Sequence, residues 1–153
     1  MMDNEKLKER AQSLVPEARL EENKQFLTLV IPAGKLHDLA VNLKNGEDTA
    51  FDYLFCLTGV DNGKQLMVVY HLESTLHKHC MVLKVQTDDR ENPEFDTVSD
   101  IWKSAEFYER EVFDLFGIRF TNHPDLRRIF LDENWKGFPF RKDYIDEVNI
   151  VEL

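Results

Sequence analysis

A chain of 153 residues suits one domain with a modest core, and 42% hydrophobic with 31% charged content places it among soluble globular proteins rather than disordered ones. A net charge of -10 argues against nucleic acid and against direct contact with anionic lipid. No apolar run approaches the length of a bilayer span, and Met1–Lys6 carries neither a secretory signal nor an organelle transit pattern, so the expected address is the bacterial cytoplasm or the cytoplasmic face of a membrane.

The hydrophobic spacing predicts a helix over residues 3–14, with Leu7, Ala11 and Leu14 on one face and Pro16 ending it. Residues 17–22 and 25–31 read as two strands around a polar junction, and Pro32 closes them. Residues 34–44 read as a helix, because Leu36, Leu39, Ala40 and Leu43 recur at helical spacing before Asn45-Gly46. Phe51–Val60 alternates, placing Phe51, Tyr53, Phe55 and Leu57 on one face and Leu54, Cys56 and Val60 on the other. Asp61-Asn62-Gly63 predicts a type I′ hairpin turn into a return strand over 65–73. A third strand over 77–86 puts Met81, Leu83 and Val85 on one face, Lys84 and Gln86 on the other.

A charged connector, 88–94, follows. Thr97-Val98-Ser99-Asp100 has the form of a capping box, and the helix after it runs to about Phe116 before Gly117. Ile101, Ala105, Tyr108, Val112 and Leu115 form its apolar stripe. The order α-β-β-α-β-β-β-α implies an α+β class: a two-layer domain with helices packed on a mixed, mostly antiparallel sheet. This core spans 1–117, and 118–153 forms an extended, irregular C-terminal arm. The arm is rich in aromatic groups, which disordered tails lack, and carries several arginines, so it either binds a partner or wraps its own domain.

Cys56 and Cys80 stand far apart and outside any Cys-x-x-Cys pattern. A structural zinc or an iron–sulfur cluster needs about four ligands, so free cysteines in a reducing compartment are expected. No glycine-rich dinucleotide or phosphate loop is present. His71, His77 and His79 are the one candidate metal set, with His77 and His79 on one strand face. No carboxylate or cysteine is evident to complete it.

The stretch Glu109-Arg110-Glu111-Val112-Phe113-Asp114-Leu115-Phe116-Gly117-Ile118, then His123-Pro124-Asp125-Leu126-Arg127-Arg128-Ile129, resembles the signature of the 30 kDa, or C, subunit family of respiratory complex I. Trp135-Lys136-Gly137-Phe138-Pro139-Phe140-Arg141-Lys142-Asp143-Tyr144 resembles that family's closing motif. Asn134, Phe138, Phe140 and Ile145 depart from the usual acid, His, Leu and Pro. The resemblance covers roughly 106–144 and implies a peripheral-arm assembly subunit bound to the 49 kDa, or D-type, subunit. The assembled enzyme, an NADH-quinone oxidoreductase of the translocase class, would pass electrons from NADH to a quinone in the respiratory chain. Flavin and iron–sulfur clusters would belong to other subunits, leaving this chain with no cofactor and no catalytic residue. Its place would be peripheral, on the cytoplasmic side of the bacterial inner membrane. The equivalent subunit of a membrane-bound hydrogenase or ferredoxin-dependent complex is the near alternative. A stand-alone metal-binding protein is the distant one.

Glu109, Arg110, Glu111, Asp114, Gly117, His123, Pro124, Asp125, Arg127, Arg128, Trp135, Arg141, Lys142 and Asp143 form the expected partner interface under that resemblance. From spacing alone, Arg110 can reach both Glu106 and Asp114, which would make a solvated ion-pair ladder. Arg127 and Arg128 can form bidentate contacts to partner carboxylates. Trp135 is an anchor, into a partner pocket or onto its own domain.

Overall fold

The structure, a computed structural model, describes residues 4–146. Helix α1 (Asn4–Leu14) leads into strands β1 (Arg19–Glu21) and β2 (Leu27–Val30), a short 3-10 turn (Ala33–Lys35) and helix α2 (Leu36–Asn45). Strands β3 (Tyr53–Asp61), β4 (Leu66–Ser74) and β5 (His79–Thr87) follow. Then come β6 (Glu94–Asp96), helix α3 (Ala105–Phe116) and β7 (Arg119–Thr121). The expected helix start at residue 3 and the arm residues 147–153 lie outside the described residues.

The main sheet has five strands in the order β1-β2-β5-β4-β3. Only β2 and β5 run parallel; the other neighbours are antiparallel. The α+β reading therefore holds, with a mixed, mostly antiparallel sheet. One sheet face carries Leu29, Leu54, Leu57, Val68, Tyr70, Leu72, Met81 and Leu83 into a single core. Leu7 and Ala11 of α1, four residues of α2 and the α3 stripe close it. The opposite face bears an aromatic row in which Phe26 and Phe55 both pack against His71, and Tyr53 against Phe55.

Four expectations fail locally. The alternation in β3 breaks at a register shift between Leu54 and Cys56, so Leu54 and Leu57 both point into the core while Tyr53 is exposed. The β3–β4 connection is a four-residue loop, not a type I′ turn: Gly63 alone in it has positive φ, and the Asn62 side chain accepts from the Lys64 and Gln65 N–H groups. The hydroxyl of Thr97 does not cap a helix. The chain turns through 98–104, and α3 starts only at Ala105. Finally, β6 and β7 pair in parallel as a second small sheet, too short to show a period.

The core also continues past Gly117. Ile118 and Phe120 are buried in it, and the irregular segment begins after β7 rather than at 118. Helix α3 lies along the edge strand β3, where Ser104 Oγ donates to the Leu54 carbonyl and Tyr108 Oη to that of Phe55. This covers an edge that would otherwise be free. Close approach depends on Gly59, because a Cβ there would sit 2.6 Å from the Phe116 ring. Gly59→Ala should cost about 1–3 kcal/mol by overpacking. Gly34→Ala, with nothing within 4 Å, should be near neutral. Urea midpoints of the two variants check the contrast.

Candidate functional site

Most of the expected interface residues lie on α3 or in the segment that crosses it, with Arg141, Lys142 and Asp143 held instead at Asp61 and Arg90, and most of the charged ones point inward. Asp114 is fully buried on α3. Its Oδ2 accepts from the backbone N–H of Ile129, Phe130 and Leu131 at 3.2, 2.7 and 3.0 Å. Its Oδ1 accepts from Arg128 Nη1 at 2.9 Å. Burial alone would raise the Asp114 pKa, but Arg128 and the three N–H donors outweigh it and hold the carboxyl below its ordinary value.

Arg110 makes no ladder with Glu106 and Asp114. Its guanidinium donates to the backbone carbonyls of Arg127 and Arg128, at 3.2 and 2.9 Å, because the arm crosses α3 there and needs partners for those carbonyls. Arg128 is likewise turned in, not out. It donates to the carbonyls of Asp114, Trp135 and Gly137, and it lies 5.1 Å above the Phe138 ring. Arg127 differs from its neighbour: its side chain is 60% exposed and pairs with Asp125 at 2.9 Å.

Gly117 ends α3 with φ +72, and Phe138 occupies the space a Cβ would need. The Phe140 N–H then caps the Leu115 carbonyl at 3.0 Å. The arm tip is held by a carboxylate whose sequence context points only to a turn. Asp61 pairs with both Nη atoms of Arg90 at 2.8 Å and accepts from the backbone N–H of Lys142 and Gly63. The Arg90 bond above all holds the Asp61 carboxyl far below the usual range. Arg90 also reaches Asp143, and Arg141 donates to the Arg90 carbonyl. Asp61 and Arg90 are 29 residues apart, and only the local Asp61–Gly63 turn bond has a sequence signal.

Glu109 is wholly buried against Thr97, Val98 and His123. Glu111 is half-buried beside Cys56, while Pro124 and Asp125 are exposed. The Trp135 side chain is 37% exposed, so it is no deep anchor in its own domain. Phe130, Phe140 and Ile145, also in the arm, are 60–71% exposed. The candidate histidine set does not converge: His77 and His79 stack and bond the carbonyls of Glu47 and Thr49, while His71 belongs to the aromatic row on the other face. Among the described residues no three His, Cys, Asp or Glu side chains are grouped as a metal set would be.

The family model described as respiratory-chain NADH dehydrogenase, 30 Kd subunit, matches residues 29–148. The chain belongs to this family. The C subunit of NADH-quinone oxidoreductase from Roseiflexus castenholzii is 37% identical over 147 residues, covering 93% of this chain and 84% of that one. A Phocaeicola vulgatus protein, the C/D subunit of NADH-quinone oxidoreductase, is 52% identical over 124 residues. The match takes in 80% of this chain, and about a quarter (24%) of the C/D relative's length. Among solved structures, a chain of an archaeal membrane-bound sulfane sulfur reductase, a respiratory membrane complex, aligns with TM-score 0.77 and 26% identity over 94% of this chain and 86% of that one. Within the stretch that the family model matches, Asp114, Arg110 and Arg128 hold the arm to its own domain.

Asp114→Ala should cost about 3–5 kcal/mol, since it leaves half-buried Arg128 without its carboxylate and three N–H groups unsatisfied. Chemical unfolding measures that cost, and new protease cleavage within 122–146 would locate it. Asp61 and Asp114 have lowered pKa values in the folded state, so they contribute stability above the unfolded carboxylate pKa of about 4 and lose it as pH falls toward their folded values. The urea midpoint should therefore fall between about pH 5 and 3, and less steeply in Asp114→Asn.

Proposed function

We propose that this chain is a peripheral-arm assembly subunit of a proton-translocating NADH:quinone oxidoreductase, that it has no redox centre of its own, and that it docks through its arm on a 49 kDa, D-type subunit. The carrying observation is that relatives such as the Phocaeicola vulgatus protein bear the joint name C/D. One polypeptide bearing both names supports direct contact between the two parts where they are separate chains. The geometry fits an assembly role. Buried carboxylates fix the arm, and Phe130, Phe140 and Ile145 remain exposed on it. Exposed aromatic and apolar groups together with an exposed arginine, Arg127, match the residue types enriched at interfaces.

In this proposal flavin and iron–sulfur clusters are carried by partner subunits; Cys56 and Cys80 are free and lie on strands separated by β4. A peripheral position on the cytoplasmic side belongs to the same proposal; among the described residues no helix is long and apolar enough to cross a membrane. The likeness to the sulfane sulfur reductase chain favours one further reading, the equivalent subunit of a related complex with a different electron donor. Co-purification with an NADH-binding module separates the two.

Gentle purification from the native source should recover this chain with a D-type subunit, and cross-links should map to 122–146. Repeated recovery without that subunit would sink the assignment. Phe130→Ala and Trp135→Ala should each weaken the complex by about 2 kcal/mol or more if they sit at the interface centre. The melting temperature of the free chain should change little, because both side chains are at least a third exposed. A large fall in melting temperature with unchanged partner affinity would assign Trp135 to the arm's own packing instead.

A further inference from the structure

Glu109 differs from the other buried carboxylates in having no cationic donor. Its Oε1 accepts from the Val98 N–H at 2.8 Å, and its Oε2 from Thr97 Oγ1 at 2.5 Å. Ser99 and Asp100 lie on the same turn, and Asp96 precedes it. From β4, the Tyr70 hydroxyl is buried without a hydrogen-bond partner and feels the charges of Glu109 and Asp96. On its own helix, Arg110 is turned away to the Arg127 and Arg128 carbonyls. From the arm comes His123, whose Nε2 lies 3.7 Å from Glu109 Oε2, both side chains being wholly buried.

The hydrogen bonds of His123 fix its tautomer. The Asp125 N–H donates to Nδ1 at 3.0 Å, so the proton sits on Nε2 and is given to the Glu106 carbonyl at 2.9 Å. The pair is therefore a carboxyl facing an imidazole N–H, not a fixed ion pair. The hydroxyls can serve either charge state of Glu109. With the carboxylate, Thr97 donates to Glu109 and accepts from the Ser99 N–H. With the neutral acid, Glu109 donates to Thr97, and Thr97 donates to Ser99 Oγ at 2.8 Å. Thr97 also lines a cavity of about 500 Å³ whose walls include His37, Asp38, Asp96 and Asp100.

We propose that Glu109 is a proton-binding site, exchanging one proton with solvent through the Thr97 hydroxyl and this acidic cavity, and that its charge state is sensed by His123 at the base of the arm. The inference rests on the geometry around α3 and is independent of the assignment to a respiratory complex. Burial pushes the Glu109 carboxyl up to about 7, against the Thr97 and Val98 bonds that pull it down, and Asp100 adds to the rise. The folded state thus binds a proton that the unfolded chain has released above its ordinary carboxylate value. The site's contribution to stability is full below that value and is lost as pH rises toward about 7.

The test is an infrared and NMR titration of the full chain between pH 5 and 9. In the difference between wild type and Glu109→Gln, a protonated-carboxyl band should be present at the acid end and disappear with a midpoint near 7. The His123 ring resonances should move with that same midpoint in the wild type. Thr97→Val, which removes the hydroxyl and leaves Glu109 in place, should shift the midpoint upward, so the proposal stays testable if Glu109→Gln does not fold. A carboxyl already ionised at pH 5, His123 resonances that ignore the transition, or an unmoved midpoint in Thr97→Val would each overturn it.

Discussion

The buried carboxylate of Asp114 fixes the arm. A segment without helix or strand still owns a donor and an acceptor per residue, and burying them unpaired is costly. Here side chains of α3 take the place of a neighbouring strand. Asp114 absorbs three consecutive N–H groups, and Arg110 serves the carbonyls two and one residue earlier. Arg128 extends the substitution to the carbonyls of Trp135 and Gly137. A rigid helix carrying acid and base one turn apart holds the polar backbone of an irregular chain, and Phe138 and Phe140 pack on Phe113 and Phe116 to complete the seat.

Three buried carboxylates illustrate how donors decide charge. Asp114 and Asp61 each have an arginine and backbone N–H groups, so ionisation is favoured despite burial. Glu109, five residues before Asp114, has a hydroxyl and one N–H but no cation, and burial wins. The difference follows from helix geometry. Five residues turn the side chain well away from the Asp114 direction, so the two acids meet different parts of the structure, one the arm's arginine and the other the Thr97 turn.

Much of the domain was legible because its elements follow a single period. The α2 spacing and the β5 alternation survive unchanged in the structure. What failed had a physical cause that no local window contains. One extra residue in β3 moved Leu57 to the core face, as a bulge must. Thr97 has the form of a hydroxyl followed by an acid, but its partner is Glu109, twelve residues on, and not the acid three away. Arg110 lies one turn from Asp114, and the ladder expected there gave way to backbone carbonyls of a segment whose path was invisible. Of the residues expected at a partner interface, Asp114, Arg110 and Arg128 face their own chain, a direction that spacing along one helix could not reveal, whereas Arg127 and Trp135 keep exposed surface.

That inward direction bears on how such an arm would meet a partner. A disordered segment that folds on binding loses conformational freedom at that moment, and this weakens association for a given contact area. An arm already held at its base by Asp114 and at its tip by Asp61 has given up most of that freedom within its own chain. The stretch between these two anchors leaves Phe130 and Phe140 exposed at fixed positions. In the proposed docking, apolar rings held this way would bind as a preformed surface, so the strength of the internal clamps and the affinity for a partner would be linked quantities: loosening either carboxylate anchor would add an ordering cost to docking even where no interface residue has changed.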